Sequence, residues 1–145
     1  MEDQKSKQTV FVDSDAFVAL LKEDDTNHEH ALRVLNELLE RYDTTFITSN
    51  YVFSEVVTVV SQRVGHSEAV AFIDTVTAPE YYIEMKRVSP DVERQAIEVF
   101  KRQTSKNISF VDCTNMALMS AFQIQDIFSF DGGYKTNGYT IPYVR

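Results

Sequence analysis

Thr9-Val10-Phe11-Val12-Asp13-Ser14-Asp15-Ala16-Phe17 is the stretch on which the fold turns. Three apolar residues run into a carboxylate, a second carboxylate follows two positions later, and an apolar-periodic stretch begins. The pattern predicts a short buried strand, a turn and the start of a helix. Asp13 then stands at the carboxyl end of the strand, the edge at which open α/β sheets bind ligands. Function depends on whether other carboxylates reach that edge.

Working outward, Ala16 to Glu23 reads as a short amphipathic helix, broken by Asp24-Asp25-Thr26-Asn27, which supplies caps for the next one. His28 to Arg41 carries Ala31, Leu32, Leu35, Leu38 and Leu39 at helical spacing. Thr45 to Thr48 is a compact strand. Ser49 or Asn50 then caps a long helix from Tyr51 to about Val64, closed by Gly65 as a left-handed C-terminal residue. Ser67 to Val76 forms another helix. Tyr81 to Val88 alternates partly and reads as a strand. Ser89-Pro90 starts a helix that runs to about Thr104, and Ser109 to Gln123 forms the next. Ile127 to Phe130 is a strand, Asp131-Gly132-Gly133 a turn, and Tyr139 to Val144 a last edge strand, with Pro142 in keeping with an edge. Strands alternate with helices, so the chain is an α/β protein whose mostly parallel sheet is covered on both faces.

A length of 145 residues suits one domain, and such a chain buries roughly 68–70% of its unfolded surface without disulfide or structural metal. The single cysteine, Cys113, can form no internal disulfide, which fits a reducing, cytoplasmic setting. Residues 1–8 are polar and read as a flexible lead-in rather than a secretory signal, leaving 9–145 as one domain. No run approaches the ~18–20 apolar residues of a membrane span. A net charge of −8 removes a generic basic surface and argues against nonspecific duplex binding. An acidic pocket that meets phosphate through metal ions remains compatible with it.

Four carboxylates stand out, each with an ordinary alternative. Asp13 could simply cap the helix that follows. Glu55 is the only charge between Tyr51 and Ser61, on a helix apolar nearly all round, where a buried carboxylate is costly unless paired or metal-bound. Asp112 is the only charge between Asn107 and Gln125, and Ser109-x-x-Asp112 can form a capping box without losing a second role. Asp131 could be a turn residue before two glycines. Asp13 and Asp131 end strands, and Glu55 and Asp112 open helices. In a parallel sheet all four fall on one edge. Carboxylates so close repel one another unless a cation neutralises them, and hard oxygen ligands suit Mg²⁺ or Mn²⁺. His28, His30 and His66 have no matching cysteines for zinc; His28 and His30 read as capping or packing residues.

Val10-Phe11-Val12-Asp13-Ser14-Asp15, Ser54-Glu55-Val56, Ile108-Ser109-Phe110-Val111-Asp112 and Phe128-Ser129-Phe130-Asp131-Gly132-Gly133-Tyr134 resemble the four acidic motifs of PIN-domain ribonucleases, nearest to the VapC-type toxins of VapBC toxin–antitoxin modules. His28-x-x-Ala31 is similar to a helix start of these proteins, and the likeness spans nearly the whole chain. It implies a PIN-like three-layer α/β/α sandwich with four to five strands. It implies metal-dependent hydrolysis of RNA, with Asp13, Glu55, Asp112 and Asp131 holding one or two Mg²⁺ or Mn²⁺ ions. Ser109 and Ser129 become supporting hydrogen-bond donors, and the products carry a 5′-phosphate and a 3′-hydroxyl. It also implies an antitoxin whose basic residue could plug the acidic pocket, and self-association through apolar helix faces, for which Tyr51 to Val60 is a candidate.

Two positions depart from the family pattern. Asp15 stands where Asn or Ser is usual, and is either a fifth carboxylate of the site or a solvent-facing side chain. Gly132-Gly133 replaces a more usual polar or basic residue and would loosen that loop. The best local basic feature is Lys86-Arg87 with Arg94, Lys101, Arg102 and Lys106. Lys101 and Arg102 are RNA-guiding candidates, set against an ordinary solvated face interleaved with Glu93 and Glu98. Val12-Asp13-Ser14-Asp15 also resembles the nucleophile loop of haloacid-dehalogenase-type phosphatases, but no late acidic pair follows a suitable lysine. A receiver domain fits poorly for want of a carboxylate after its third strand and a late lysine. The remaining alternatives are a PIN-domain RNA-processing nuclease without an antitoxin, and a PIN-like binding module without catalysis.

Overall fold

The computed structural model describes residues 4–80 and 83–142. The chain runs β1 (Ser6–Val12), α1 (Ser14–Leu21), α2 (His28–Arg41), β2 (Tyr42–Ser49), α3 (Asn50–Arg63), α4 (His66–Thr77), β3 (Ile83–Lys86), α5 (Pro90–Arg102), α6 (Phe110–Ala121), β4 (Asp126–Phe128) and α7 (Gly133–Thr136). The four strands lie in the order β3-β2-β1-β4, all parallel. Two pairs of helices link β1 to β2 to β3, moving one way across the sheet. The third pair returns the chain to the far side of β1. Right-handed crossovers place α1–α4 on one face and α5–α6 on the other. The packing agrees: α1 meets α2 and α3, α3 meets α4, and α5 meets α6.

β1 begins at Ser6, earlier than its apolar run, because ladder bonds to β2 need only backbone; Ser6 pairs with Tyr42 and Val10 with Phe46. Its polar start is exposed, while Val10, Phe11 and Val12 are buried at the sheet centre. Of the strand expected over 81–88, residues 83–86 form β3; Tyr81 and Tyr82 lie outside the described residues. The expected last edge strand is reduced to one parallel bridge, Thr140 with Asp126, and residues 143–144 of it lie outside the described residues. β4 stops at Phe128, because the Phe130 N–H turns away to donate to Asp15 Oδ2 at 2.8 Å. Gly65 has a positive φ that favours glycine (φ 157°, ψ 157°), but not the left-handed helical conformation expected of a C-terminal residue, and it opens α4 directly. His28 Nδ1 donates to the Ala19 carbonyl at 2.7 Å, and His30 packs on Phe130 with ring centroids 5.4 Å apart, so both are packing residues.

α3 corrects one expectation. It is not buried all round: Val52, Val56 and Val60 make one i, i+4, i+8 stripe against the core, and Ser54, Glu55 and Thr58 are exposed. Phe53 stacks on Phe72 of α4, which also meets Phe17 of α1 edge-on at 5.3 Å. Among the described residues no helix is long and apolar enough to cross a membrane.

Candidate active site

The strand order reverses at β1, so β1 and β4 flank the topological switch point, and the crevice beyond their carboxyl ends is the expected ligand site. Asp13 follows β1 and Ser129 follows β4. The Asp13 N–H donates to the Phe128 carbonyl at 3.1 Å, carrying the ladder one step past the strands and fixing the two ends together. Asp13 also caps α1, its Oδ1 accepting from Ser14 N at 2.7 Å. The ordinary role and the site role coincide.

Asp13 is 4% exposed. Each of its oxygens accepts two hydrogen bonds: Oδ1 from Ser14 N and from Asn115 Nδ2 (3.1 Å), Oδ2 from Ser129 Oγ (3.1 Å) and from the Tyr134 hydroxyl (2.9 Å). The same two hydroxyls reach further. Ser129 Oγ lies 3.2 Å from Asp15 Oδ2, and the Tyr134 hydroxyl lies 3.0 Å from Asp112 Oδ1. The result is a chain: Asp15, Ser129, Asp13, Tyr134, Asp112. Each hydroxyl has one proton, so it serves only one of its two carboxylates at a time.

Three acids linked by two protons are short of positive charge. Burial pushes Asp13 up to about 7, reinforced by the charges of Asp15 and Asp112; the Ser14 N–H and the Tyr134 hydroxyl oppose the rise. Burial likewise pushes Asp15 up to about 6, against hydrogen bonds from Phe130, Ser129 and Ala16 and with the charge of Asp131 adding to it. Tyr134 is buried and faces Asp13 and Asp112, which drives its own pKa up and keeps it protonated as a donor.

Asp15, half-buried, therefore turns toward Ser129 and Phe130 rather than out into solvent. Its Oδ1 is buried without a hydrogen-bond partner among the described residues. An orphaned carboxylate oxygen within an all-oxygen cluster fits a hard divalent cation. No three acidic, histidine or cysteine side chains among the described residues form a ready-made ligand cage. The acids are gathered, but hydroxyls space them.

The other expected residues fall around this chain. Asp112 Oδ2 accepts from Ser109 N at 2.9 Å, while Ser109 Oγ accepts from Asp112 N at 3.0 Å, a complete capping box that leaves Oδ1 for the site. Ser109 thus holds Asp112 through its backbone N–H, and its hydroxyl is an acceptor, not the donor expected. Ser109→Ala is expected to lower stability by about 1 kcal/mol, measured by urea denaturation. An unchanged midpoint would mean that the cap does not hold Asp112. Ser129, by contrast, is the expected donor.

Asp131 lies three residues beyond β4 rather than at its end. Its Oδ1 accepts from Gly133 N at 2.8 Å, closing the turn that opens α7. Gly133 is closely approached, since a Cβ there would come within 2.4 Å of Ile108 Cδ1, whereas a Cβ at Gly132 would meet nothing within 4 Å. Glu55 is exposed on α3 beside Ser54, Thr58 and Val111. Its carboxyl end is partly withdrawn from water, which raises its pKa; the Ser14 hydroxyl opposes the rise and Asp112 adds to it. It stands at the rim rather than in the hydrogen-bonded chain.

Of the basic residues, Lys86 pairs with Glu84 at 2.7 Å, Arg94 with Asp91, and Lys101 with Glu98 at 3.6 Å. Arg102 is in no ion pair among the described residues. It lines a groove of about 740 Å³ bounded by the end of α5, the following loop and Asp131-Gly132-Gly133.

Sequence reasoning missed Tyr134 and Asn115. Asn115 had a signal: it lies one turn after Asp112 in the mostly apolar run Cys113 to Met119, and a buried amide must find partners. Tyr134 closes the fourth acidic motif, but an aromatic three residues after Asp131 reads as core and received no role.

Residues 10–137 match the PIN domain family, and the chain belongs to it. It is 33% identical over 134 residues, covering 90% of this chain and 95% of the relative, to the 23S rRNA-specific endonuclease VapC20 of Mycobacterium tuberculosis (strains CDC 1551 / Oshkosh and ATCC 25618 / H37Rv). The crystal structure of that species' VapC20, described as a sarcin–ricin loop cleaving toxin, matches with TM-score 0.80 at 31% identity over 90% of this chain and 96% of that one. A toxin–antitoxin complex from Klebsiella pneumoniae shares the fold, with TM-score 0.63 at 10% identity over 94% and 99% of the two chains. So does VapBC2 from Rickettsia felis bound to a DNA fragment from the promoter, with TM-score 0.62 at 13% identity over 92% and 97%.

Proposed function

We propose that the chain is a metal-dependent ribonuclease, the VapC-type toxin of a toxin–antitoxin pair, working on structured RNA in the cytoplasm. The observation that carries this is the Asp15–Ser129–Asp13–Tyr134–Asp112 chain, with its orphaned Asp15 oxygen, at the switch point of the sheet. The relative named for cleaving 23S rRNA covers nearly the same length and supports the substrate class. Asp13, Asp15, Asp112 and Asp131 would hold Mg²⁺ or Mn²⁺, with Glu55 at the rim. When bound, such a cation supplies charge neutralisation and an activated water for phosphodiester hydrolysis. Asp13, held by four donors, is the fixed anchor. Asp112, held by its capping box, offers one oxygen inward. Products with a 5′-phosphate and a 3′-hydroxyl would follow from attack of water on phosphorus with breakage of the P–O3′ bond, the 3′-oxygen leaving with a proton.

Arg102 is the better of the two RNA-guiding candidates, since it lines the groove beside Asp131 while Lys101 sits 3.6 Å from the carboxylate of Glu98. Arg102→Glu is expected to weaken RNA binding about tenfold at low salt and to flatten the salt dependence by about one phosphate contact; Lys101→Glu is expected to change little. Equal affinity of Arg102→Glu and wild type would take Arg102 off the RNA path. An antitoxin with a basic residue directed at the same carboxylates, and a homodimer built on α3, complete the proposed assembly.

The function is tested by incubating the protein with structured RNAs, the sarcin–ricin stem-loop of 23S rRNA among them, with Mn²⁺, with Mg²⁺ and with chelator. Discrete, metal-dependent cuts bearing 5′-phosphates are expected. RNA retained without any cut would favour the non-catalytic binding module.

A further inference from the structure

We propose that Tyr134 is a positioning residue of the metal centre, and that its hydroxyl, aimed by Asn115, sets the spacing of Asp13 and Asp112. The inference rests on the metal-dependent reading above. Tyr134 is 1% exposed, and its ring is among the largest fully buried side chains of the core. Its hydroxyl nonetheless ends at the carboxylates, 2.9 Å from Asp13 Oδ2 and 3.0 Å from Asp112 Oδ1. A core position alone would be as well served by phenylalanine, which has no polar tip to satisfy.

The geometry gives the hydroxyl a definite task. Asn115 Nδ2 donates to the phenolic oxygen at 3.0 Å and to Asp13 Oδ1 at 3.1 Å, so one amide orients both the phenol and the acid. The phenolic proton is left for Asp13 or Asp112. These two acids come from different parts of the chain, one after β1 and the other on α6, and no other described side chain hydrogen-bonds to both. Without the hydroxyl their like charges push them apart, and Asp112 Oδ1 has no hydrogen bond aiming it inward. With it, the two inner oxygens face one point before any cation arrives. Groups that orient metal ligands in this way are worth roughly 10–100-fold in metal affinity.

The test is direct binding of Mn²⁺ to the full-length protein, followed by calorimetry without RNA. Tyr134→Phe keeps the ring and removes only the hydroxyl. It is expected to bind Mn²⁺ roughly 10–100-fold more weakly than wild type. Asn115→Ala leaves the phenol in place but unaimed, and should weaken binding in the same direction. The double variant should lose less than the product of the two, because both act through one hydrogen-bonded chain. Circular dichroism of the metal-free variants checks that each is folded, and if Tyr134→Phe does not fold, Asn115→Ala carries the test alone. Wild-type affinity in the folded variants would overturn the role of Tyr134 and leave the nuclease reading standing. No Mn²⁺ binding by wild type would overturn both.

Discussion

Replacing Asp13 by Asn is expected to abolish RNA cleavage, by about 10³-fold or more (roughly 4 kcal/mol in the barrier), while leaving the protein folded. The second half follows from the hydrogen bonds. Asp13 Oδ1 faces two fixed donors, Ser14 N and Asn115 Nδ2, so the Asn oxygen would take that side. Its NH₂ would then face Ser129 and Tyr134, whose hydroxyl protons can turn to Asp15 and Asp112 and leave oxygens to accept. No donor is left opposing a donor. The variant also loses a buried charge, so in chelator at pH 8 it should melt above wild type. Cleavage rate and melting temperature, measured on the same preparation, should move in opposite directions. A variant that is both inactive and markedly less stable would mean that Asp13 is chiefly a helix cap.

The metal-free protein is expected to lose stability as pH rises from about 4 to about 7, and divalent metal is expected to restore it. Asp13 and Asp15 titrate near 7 and 6 in the folded chain, against a reference of 3.8. Between those limits the folded state binds more protons than the unfolded state, so stability falls with rising pH. The contribution is fully present below the unfolded pKa and is lost through the folded values. A cation replaces those protons, so Mn²⁺ binding should release protons near pH 6 and weaken as pH drops. At a hundredfold excess over its dissociation constant it adds about 2.7 kcal/mol, which for a chain of this size is several degrees in Tm. Melting curves from pH 4 to 8, in chelator and in Mn²⁺, check this. Coincident curves would show that these acids are neutralised in some other way.

Much of this was legible in the sequence. The apolar runs before Asp13 and around Phe46-Ile47 mark parallel strands, because strands buried on both faces need no alternation. Ser49, Ser89 and Ser109 marked helix starts, and all three side chains cap in the structure. Asp13 and Asp112 were legible as acids at element ends, whereas Asp131, expected to end a strand, lies three residues beyond β4. Glu55 was read as buried from the apolar character of its helix, but α3 buries only one stripe, and a lone acid fits the open face. Asp15 was ambiguous because its direction depends on Phe130 N and Ser129 Oγ, which lie more than a hundred residues away in the chain. Tyr134 was hidden for a related reason: what distinguishes it from a core phenylalanine is one oxygen, and its partners are set by tertiary structure. Local patterns locate acids at an edge, but the hydroxyls that link them become visible only when the strands are side by side.

The central claim is that the carboxylates joined through Ser129 and Tyr134 form one metal-dependent ribonuclease centre. It is tested most directly by titrating metal-free protein with Mn²⁺ while following both metal binding and cleavage of an end-labelled RNA stem-loop. The two curves should rise together in wild type, and no cleavage should appear in Asp13→Asn at any Mn²⁺ concentration. Full-rate cleavage in chelator, or equal cleavage by the two proteins, would contradict it.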